Sequence, residues 1–293
     1  MRAGSFDLIF ADPPFNIGKA YGDSVDDERD RESYLKWCRE WLDQCVRLLA
    51  DGGSIFVYNL PRWNVHIAAH LERKLTFRHW IAVDMKYYFP IRGRLYPAHY
   101  SLLYFCKGPK PRTFTPPGVP IVTCRFCGKE VKDYGGYKDK LDPEGMNLSD
   151  VWADLSPVRH HRYKWRAKGV NELPVKMLDR IIDMASRPGD RILDPFAGSG
   201  TSLTVAELKR RRWVGIEIED VMPIVARFQT IHEDRRVLAE LERSKNRLFT
   251  DEALIVRKKH QHPLGKYRIL QSQQAFLEAN VFSPSATRRA GSS

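Results

Sequence analysis

The stretch that most limits how this chain can fold is Asp194-Pro195-Phe196-Ala197-Gly198-Ser199-Gly200-Thr201, which follows the apolar run Arg191-Ile192-Leu193. A short apolar strand ending in an acid, then a glycine-rich turn, then a helix-like segment is how α/β proteins build nucleotide pockets. Gly198 and Gly200 let the backbone turn sharply and approach a ligand without a Cβ in the way. The spacing is neither G-x-G-x-x-G nor G-x-x-x-x-G-K-[ST], so dinucleotide and ATP phosphate cradles both lose ground. A glycine turn after a strand is also common punctuation. It therefore needs a partner elsewhere in the chain.

That partner stands near the N-terminus. Phe6 to Ala11 reads as a short buried strand, ended by Asp12-Pro13-Pro14-Phe15-Asn16. Two prolines fix an extended turn. Asp12 and the Pro13 carbonyl can accept the two hydrogens of an exocyclic amine, and Phe15 offers a ring face to a flat base. A strand followed by a proline turn would explain the prolines, but not the acid and the aromatic beside them.

Between these stretches, strand and helix patterns alternate. Glu32 to Leu49 places its apolar residues on one side at helical spacing, with Cys38 and Cys45 as core residues, and Asp51-Gly52-Gly53 is expected to stop it. Ser54 to Tyr58, Trp80 to Met85 and His99 to Cys106 read as strands; Trp63 to Arg73 and Val175 to Met184 read as helices. Trp213 to Glu217 is a strand ending in an acid, where a nucleoside-binding unit bonds ribose hydroxyls, so Glu217 joins the candidate site. Val221 to Glu242 reads as one or two helices and Ala253 to Val256 as a further strand. The fold expected is α/β, a doubly wound, mostly parallel sheet with an antiparallel pair at its edge.

From Lys107 the character changes. Residues 107–168 mix proline, basic and aromatic residues with little periodicity and read as an insertion facing a partner. Lys107, Arg112, Arg125, Lys140 and the bases around Arg159 to Arg166 could neutralise phosphates, while Tyr137, Trp152 and Trp165 could stack. The chain's net charge of +12 fits a polyanionic partner. Cys124 and Cys127, followed by Gly128, look like half of a zinc knuckle. Two more ligands would be needed, and His160 and His161 are the only histidines nearby in sequence. A plain turn with two reduced thiols outweighs zinc, so no metal is expected. Five unevenly spread cysteines, no secretory h-region and no apolar run near ~18 residues point to a reducing cytoplasm and away from a membrane. The last stretch, 283–293, is small and basic and reads as disordered.

Taken together, the two strand ends resemble an S-adenosylmethionine-dependent amino-group DNA methyltransferase of the permuted, β-type arrangement. There the D-P-P-Y/F motif precedes the target-recognition region, and D-P-F-x-G-S-G-T comes last. Asp12, Pro13, Pro14 and Phe15 match the catalytic motif. Asp194, Pro195, Phe196, Ala197, Gly198, Ser199, Gly200 and Thr201 match the cofactor motif. Asn171, Glu172, Leu173 and Pro174 resemble the segment lying against the cofactor, and Val214 to Glu217 the ribose-binding strand. The resemblance covers roughly residues 5–230.

It implies a Rossmann-like methyltransferase sheet: a catalytic half over 1–106, target recognition over 107–168, a cofactor-binding half over 169–232 and a basic extension over 233–293. It also implies S-adenosyl-L-methionine as cofactor and double-stranded DNA as substrate, and it allows a homodimer and a cognate restriction enzyme. The place of action would be the cytoplasm, at the nucleoid. Asp-Pro-Pro favours adenine N6, with cytosine N4 as the alternative; an inactive DNA-binding subunit is the alternative of another class. Relatives usually carry, before the catalytic strand, another strand whose Gly-Asp acid lies near the cofactor's adenine. Here Met1 stands just before the catalytic strand, and either a lost edge strand, a start placed downstream or a replacement by Ala253 to Val256 would account for it.

Overall fold

The computed structural model describes residues 1–18, 27–84, 92–93, 95–130, 136–137, 140–155, 172–262, 264 and 267–279. They form two compact units, Met1–Pro116 with Ser149–Ala239, and Pro117–Leu148 with Glu240–Ser293.

The first unit runs β1 (Phe6–Ala11), α1 (Arg31–Leu48), β2 (Leu49–Asn59), α2 (Pro61–Leu71), β3 (Thr76–Asp84), β4 (His99–Cys106), β5 (Val151–Trp152), α3 (Val175–Ala185), β6 (Arg191–Asp194), α4 (Thr201–Leu208), β7 (Arg212–Gly215) and α5 (Met222–Gln229). α6 (Ile231–Glu242) then leads into the second unit, which holds α7 (Asp251–Lys259) and α8 (Gln271–Ala279).

One seven-stranded sheet has the order β5-β3-β4-β2-β1-β6-β7. β1 pairs in parallel with both β2 and β6, β6 with β7, and β3 with β5. β4 alone is reversed, pairing antiparallel with β2 and β3. This is the doubly wound, mostly parallel sheet expected, and its antiparallel hairpin lies one short strand in from the edge.

Alternation along the strands divides the core. Ile9, Ile55, Val57, Leu103, Phe105 and Leu193 join one buried cluster with Tyr34, Cys38, Leu42 and Cys45 of α1 and Trp63, Ile67 and Leu71 of α2. Leu8, Phe10, Phe56 and Tyr104 alternate to the opposite face and are equally buried. α1 begins at an Asp30 cap whose side chain accepts from the Glu32 and Ser33 amides.

Two expectations about element ends are corrected. Asp51-Gly52-Gly53 does not separate α1 from β2. Leu49 already pairs with Phe6, and the glycines form an irregularity inside β2, where pairing resumes at Leu8 with Ser54. A Cβ at Gly53 would stand 2.8 Å from the Ala50 carbonyl, so the strand passes there only as glycine. Ala253 to Val256 is not a strand. It is the middle of α7, opened by a Thr250 cap that accepts from the Ala253 amide, and it belongs to the second unit rather than to the strands of the sheet. β7 ends the sheet among the described residues, and Val214, Ile216, Ile218, Val221 and Met222 beside that edge are exposed.

The second unit has a small core of Leu248, Phe249, Leu254 and Tyr267, with Ile121, Leu141, Met146, Ile269 and Leu277 packed against it. Backbone bonds from Ile121 to Leu248 and from Leu248 to Pro143 tie its two chain segments together. No helix among the described residues is long and apolar enough to cross a membrane.

Candidate active site

β1 and β6 are neighbours, and the chain leaves them towards opposite sides of the sheet. Their carboxyl ends therefore flank the switch point, the crevice where open α/β sheets bind ligands. Because Ile9 pairs with Leu193, Asp194 lies just beyond that pair and Asp12 slightly further out on the adjacent strand.

At the β1 tip, Pro13 and Pro14 have no N–H, so only carbonyls remain for anchoring. The Tyr34 hydroxyl donates to the Pro14 carbonyl at 2.7 Å and the Trp63 indole N–H to the Phe15 carbonyl at 2.7 Å. Asn59 Nδ2 donates in turn to the Tyr34 oxygen at 3.0 Å. No hydrogen bond among the described residues engages the Pro13 carbonyl. Past the prolines, the Asn16 and Ile17 amides donate to the two carboxylate oxygens of Asp27, at 2.7 and 3.1 Å. Asn16 also exchanges side-chain bonds with the backbone of Arg29.

The Phe15 ring is buried rather than open. It leans on Tyr58 at 5.9 Å and Tyr100 at 5.5 Å, and those two rings meet at 5.0 Å. Tyr58 is buried and Tyr100 half-buried, so Tyr100 offers the most accessible face of this three-ring wall. Burial, and then the Asp12 carboxylate, push both tyrosine hydroxyls above their ordinary range, which keeps them neutral beside the acid. Sequence reading placed Tyr58 and Tyr100 in strands and did not assign them to the site.

At the β6 tip the anchoring is reversed. Asp194 is buried and accepts from the Phe196 amide at 3.0 Å and from the Ser202 hydroxyl. Burial pushes its carboxyl up to about 6; those hydrogen bonds oppose the shift and Glu217 adds to it. Glu217 lies just past β7. One carboxylate oxygen accepts from the Gly198 amide at 2.6 Å, the other from the Ile218 and Glu219 amides at 3.0 Å each. The Ala197 amide donates to Ile216 at 2.8 Å, so the glycine turn is laced to the end of β7. Gly200 caps α4 at φ 75°, where a Cβ would meet Ile224 at 3.1 Å. Ser199 and Thr201 are buried beneath the turn, their hydroxyls 3.1 Å apart, and Pro195 is half-buried. Phe196 meets Trp37 and Trp41 of α1 edge-on at 5.8 and 5.1 Å, so the helix after β1 also steadies the tip of β6.

Glu172 faces Arg227 at 3.1 Å. Arg227 also binds Asp234 at 2.8 Å, and Asp234 accepts from Thr204 of α4. This buried network joins the segment before α3 to the helix that follows the glycine turn. Leu173 and Pro174 are half-buried, Pro174 at the start of α3. Asn171 lies outside the described residues, as do His160, His161, Trp165, the bases from Arg159 to Arg166 and the tail 283–293. A shallow groove beside β7, lined by Glu207, Leu208, Trp213, Phe228, Ile231 and Arg235, involves neither tip.

Several residues expected at a polyanion surface have structural partners instead. Lys107 donates to the Leu49 carbonyl at 2.8 Å, and Arg112 pairs with Asp7. Trp152 is fully buried under the Arg180 guanidinium, at 4.9 Å.

With two acid-tipped strands at one switch point, the comparison with known proteins is decisive. A family model described as DNA methylase, covering N6 and N4 methyltransferases, matches residues 6–223.

The chain belongs to the N6/N4 DNA methylase family.

It is 50% identical over 254 residues to the type II methyltransferase M.BamHI of Bacillus amyloliquefaciens, covering 87% of this chain and 60% of that protein. It is 33% identical over 223 residues to the type II methyltransferase M.HpaI of Haemophilus parainfluenzae, covering 74% and 66%. The chain thus spans less than two thirds of the length of these relatives. Among solved structures, the PvuII DNA methyltransferase, cytosine-N4-specific, superposes with a TM-score of 0.56 at 15% identity over 80% of this chain and 86% of that one, a likeness of fold.

Proposed function

We propose that this methylase transfers the methyl group of S-adenosyl-L-methionine to the exocyclic amino group of a base flipped out of double-stranded DNA. The observation that carries this reading is the pairing of Asp12-Pro13-Pro14-Phe15, whose Pro13 carbonyl is unengaged among the described residues, and the Asp194–Thr201 turn at neighbouring strand ends.

The donor set of the β6 tip fits the cofactor. The Glu217 carboxylate stands beside the turn backbone as an acceptor for ribose hydroxyls, next to the N-terminus of α4. When bound, the cofactor supplies an electrophilic methyl on a sulfonium. The chain's own task is to present the nucleophile. Conjugation into the base ring withdraws the amine lone pair. Accepting the two amine hydrogens at Asp12 and the Pro13 carbonyl favours a tetrahedral nitrogen whose lone pair is available as the transition state develops. Asp12 is the anionic group of this tip for the proton that nitrogen sheds when the N–C bond forms. A base inside a duplex cannot reach such a tip, so it must be extruded, at a cost of a few kcal/mol. The Phe15, Tyr58 and Tyr100 wall supplies aromatic contact that offsets part of that cost.

Adenine N6 is the base assignment that Asp12 in the Asp-Pro-Pro motif supports. The test is to incubate the protein with duplex DNA and deuteromethyl-labelled S-adenosyl-L-methionine, then digest to nucleosides for mass spectrometry. Labelled N6-methyladenine is expected. Labelled N4-methylcytosine would overturn the base assignment alone, and unlabelled DNA or a C5-methyl product would overturn the proposed chemistry.

A further inference from the structure

The Cys124/Cys127 pair plays no part in the strand-tip site, yet the backbone around it is highly organised. Thr123 and Glu130 close an antiparallel bridge. The Cys124 amide donates to Lys129 at 2.9 Å, the Gly128 amide donates back to Cys124 at 2.7 Å, and Gly128 turns at φ 69°. Two thiols at the tip of a tight hairpin closed by a left-handed glycine make half of a tetrahedral thiolate site.

The nearest histidines in sequence, His160 and His161, lie outside the described residues, and the described fold brings another pair to this hairpin. The fold docks this hairpin on the C-terminal end of α7. Arg257 donates to the Gly128 carbonyl at 2.9 Å and pairs with Glu130. A Cβ at Gly128 would lie 2.8 Å from the Arg257 backbone nitrogen, so only glycine allows this approach. Directly beyond α7 come His260 and His262, and the His262 amide donates back to the Arg257 carbonyl at 2.9 Å. The two imidazoles lie 6.3 Å apart at 22° to each other. Among the described residues, Nε2 of His262 is buried without a hydrogen-bond partner. A buried, unsatisfied ring nitrogen carries a desolvation penalty that a ligand to its lone pair would remove.

We propose that Cys124, Cys127, His260 and His262 hold one structural Zn²⁺ that clamps the hairpin to the end of α7. Two sulfurs and two imidazoles in a tetrahedral set select zinc over harder cations. Among the described residues these donors are not already gathered within one coordination sphere, so binding must draw them together. Cys124 and His260 are exposed and can swing without unpacking the core. Binding replaces the two thiol protons with the ion, so two protons leave and the site is electrically neutral. A reason for a metal staple is at hand, since among the described residues this unit's buried apolar core is Leu248, Phe249, Leu254 and Tyr267, and small units commonly add one.

The test is metal analysis of the full chain produced in zinc-supplemented medium and purified without chelator, followed by exchange for Co²⁺. About one zinc per chain is expected, with cobalt d–d bands of tetrahedral intensity and a sulfur-to-cobalt charge-transfer band. Zinc near zero in the wild-type chain would overturn the proposal, as would a Cys124–Cys127 disulfide in its intact mass under alkylating conditions. The paired substitution His260→Ala with His262→Ala should abolish zinc retention after dialysis. Retention with an unchanged cobalt spectrum would remove the histidines from the site. The cobalt spectrum of the wild-type chain stands even if that variant does not fold.

Discussion

The two strand tips that form the candidate active site are held in opposite ways. At the β1 tip the prolines leave only carbonyls to anchor, and the fold brings donors to them, the Tyr34 hydroxyl and the Trp63 indole. At the β6 tip the glycine turn leaves amides, and the fold brings acceptors, the carboxylates of Asp194 and Glu217. Where N–H groups return after the prolines, at Asn16 and Ile17, a carboxylate returns with them, that of Asp27. The motif's own covalent chemistry therefore dictates which partners the scaffold supplies. In the proposed reaction, neutral donors at this tip leave the charged role towards the base to Asp12. Carboxylates on the other tip leave the turn rigid and an acceptor beside it.

The largest effect that separates the tips is on pH dependence. Asp194 has its carboxyl raised from 3.8 to about 6, so the folded state holds its proton more tightly than the unfolded chain does. Its contribution to stability is thus fully present below about pH 4 and is lost as pH rises through about 6. The loss is on the order of 3 kcal/mol from ~1.4 kcal/mol per pKa unit. Denaturant midpoints of wild type and Asp194→Asn, measured from pH 4 to 8, should diverge over that window in favour of the variant and run parallel above it. Parallel curves throughout would mean that Asp194 is not strained by burial. Burial holds the Tyr34 hydroxyl protonated well above the ordinary range, so Tyr34→Phe should produce a pH-independent offset over the same window.

Next in size, Glu217→Gln should weaken binding of S-adenosyl-L-methionine by about 1–3 kcal/mol, the worth of hydrogen bonds to a charged group. Affinity for duplex DNA should stay within a factor of two. Calorimetric titration of both ligands checks this, and unchanged cofactor affinity would take Glu217 out of the site.

Smallest is Trp63→Phe, which keeps a ring and removes the donor to the Phe15 carbonyl. Stability should fall by about 1 kcal/mol, and the methyl-transfer rate should fall more than cofactor affinity does. Equal losses in both would mean that the tips are not anchored independently.

Both motifs were legible in the sequence because each is written in consecutive residues whose backbone chemistry is local. The sheet was legible too, through apolar runs of strand length alternating with helical periods. Tyr58 and Tyr100 were not, because aromatics in strands read as core, and only the β2–β4 pairing brings them to Phe15. The four residues from Ala253 to Val256 misled because a short apolar run carries no period. The deciding signals flank it: Thr250 as cap, Asp251 and Glu252 in the first turn, and Arg257, Lys258 and Lys259 in the last. Lys107, Arg112 and Trp152 show the limit of charge and aromatic counting. Composition cannot tell a polyanion contact from a helix-end tie, an ion pair or a buried ring.

The division of labour between the tips is tested most directly by two measurements on one protein, Asp12→Ala: equilibrium binding of S-adenosyl-L-methionine, and single-turnover methyl transfer to duplex DNA. Cofactor affinity within a few-fold of wild type is expected, with transfer slowed by at least about 10³-fold. Transfer at a rate near wild type, or parallel loss of binding and transfer, would contradict the account.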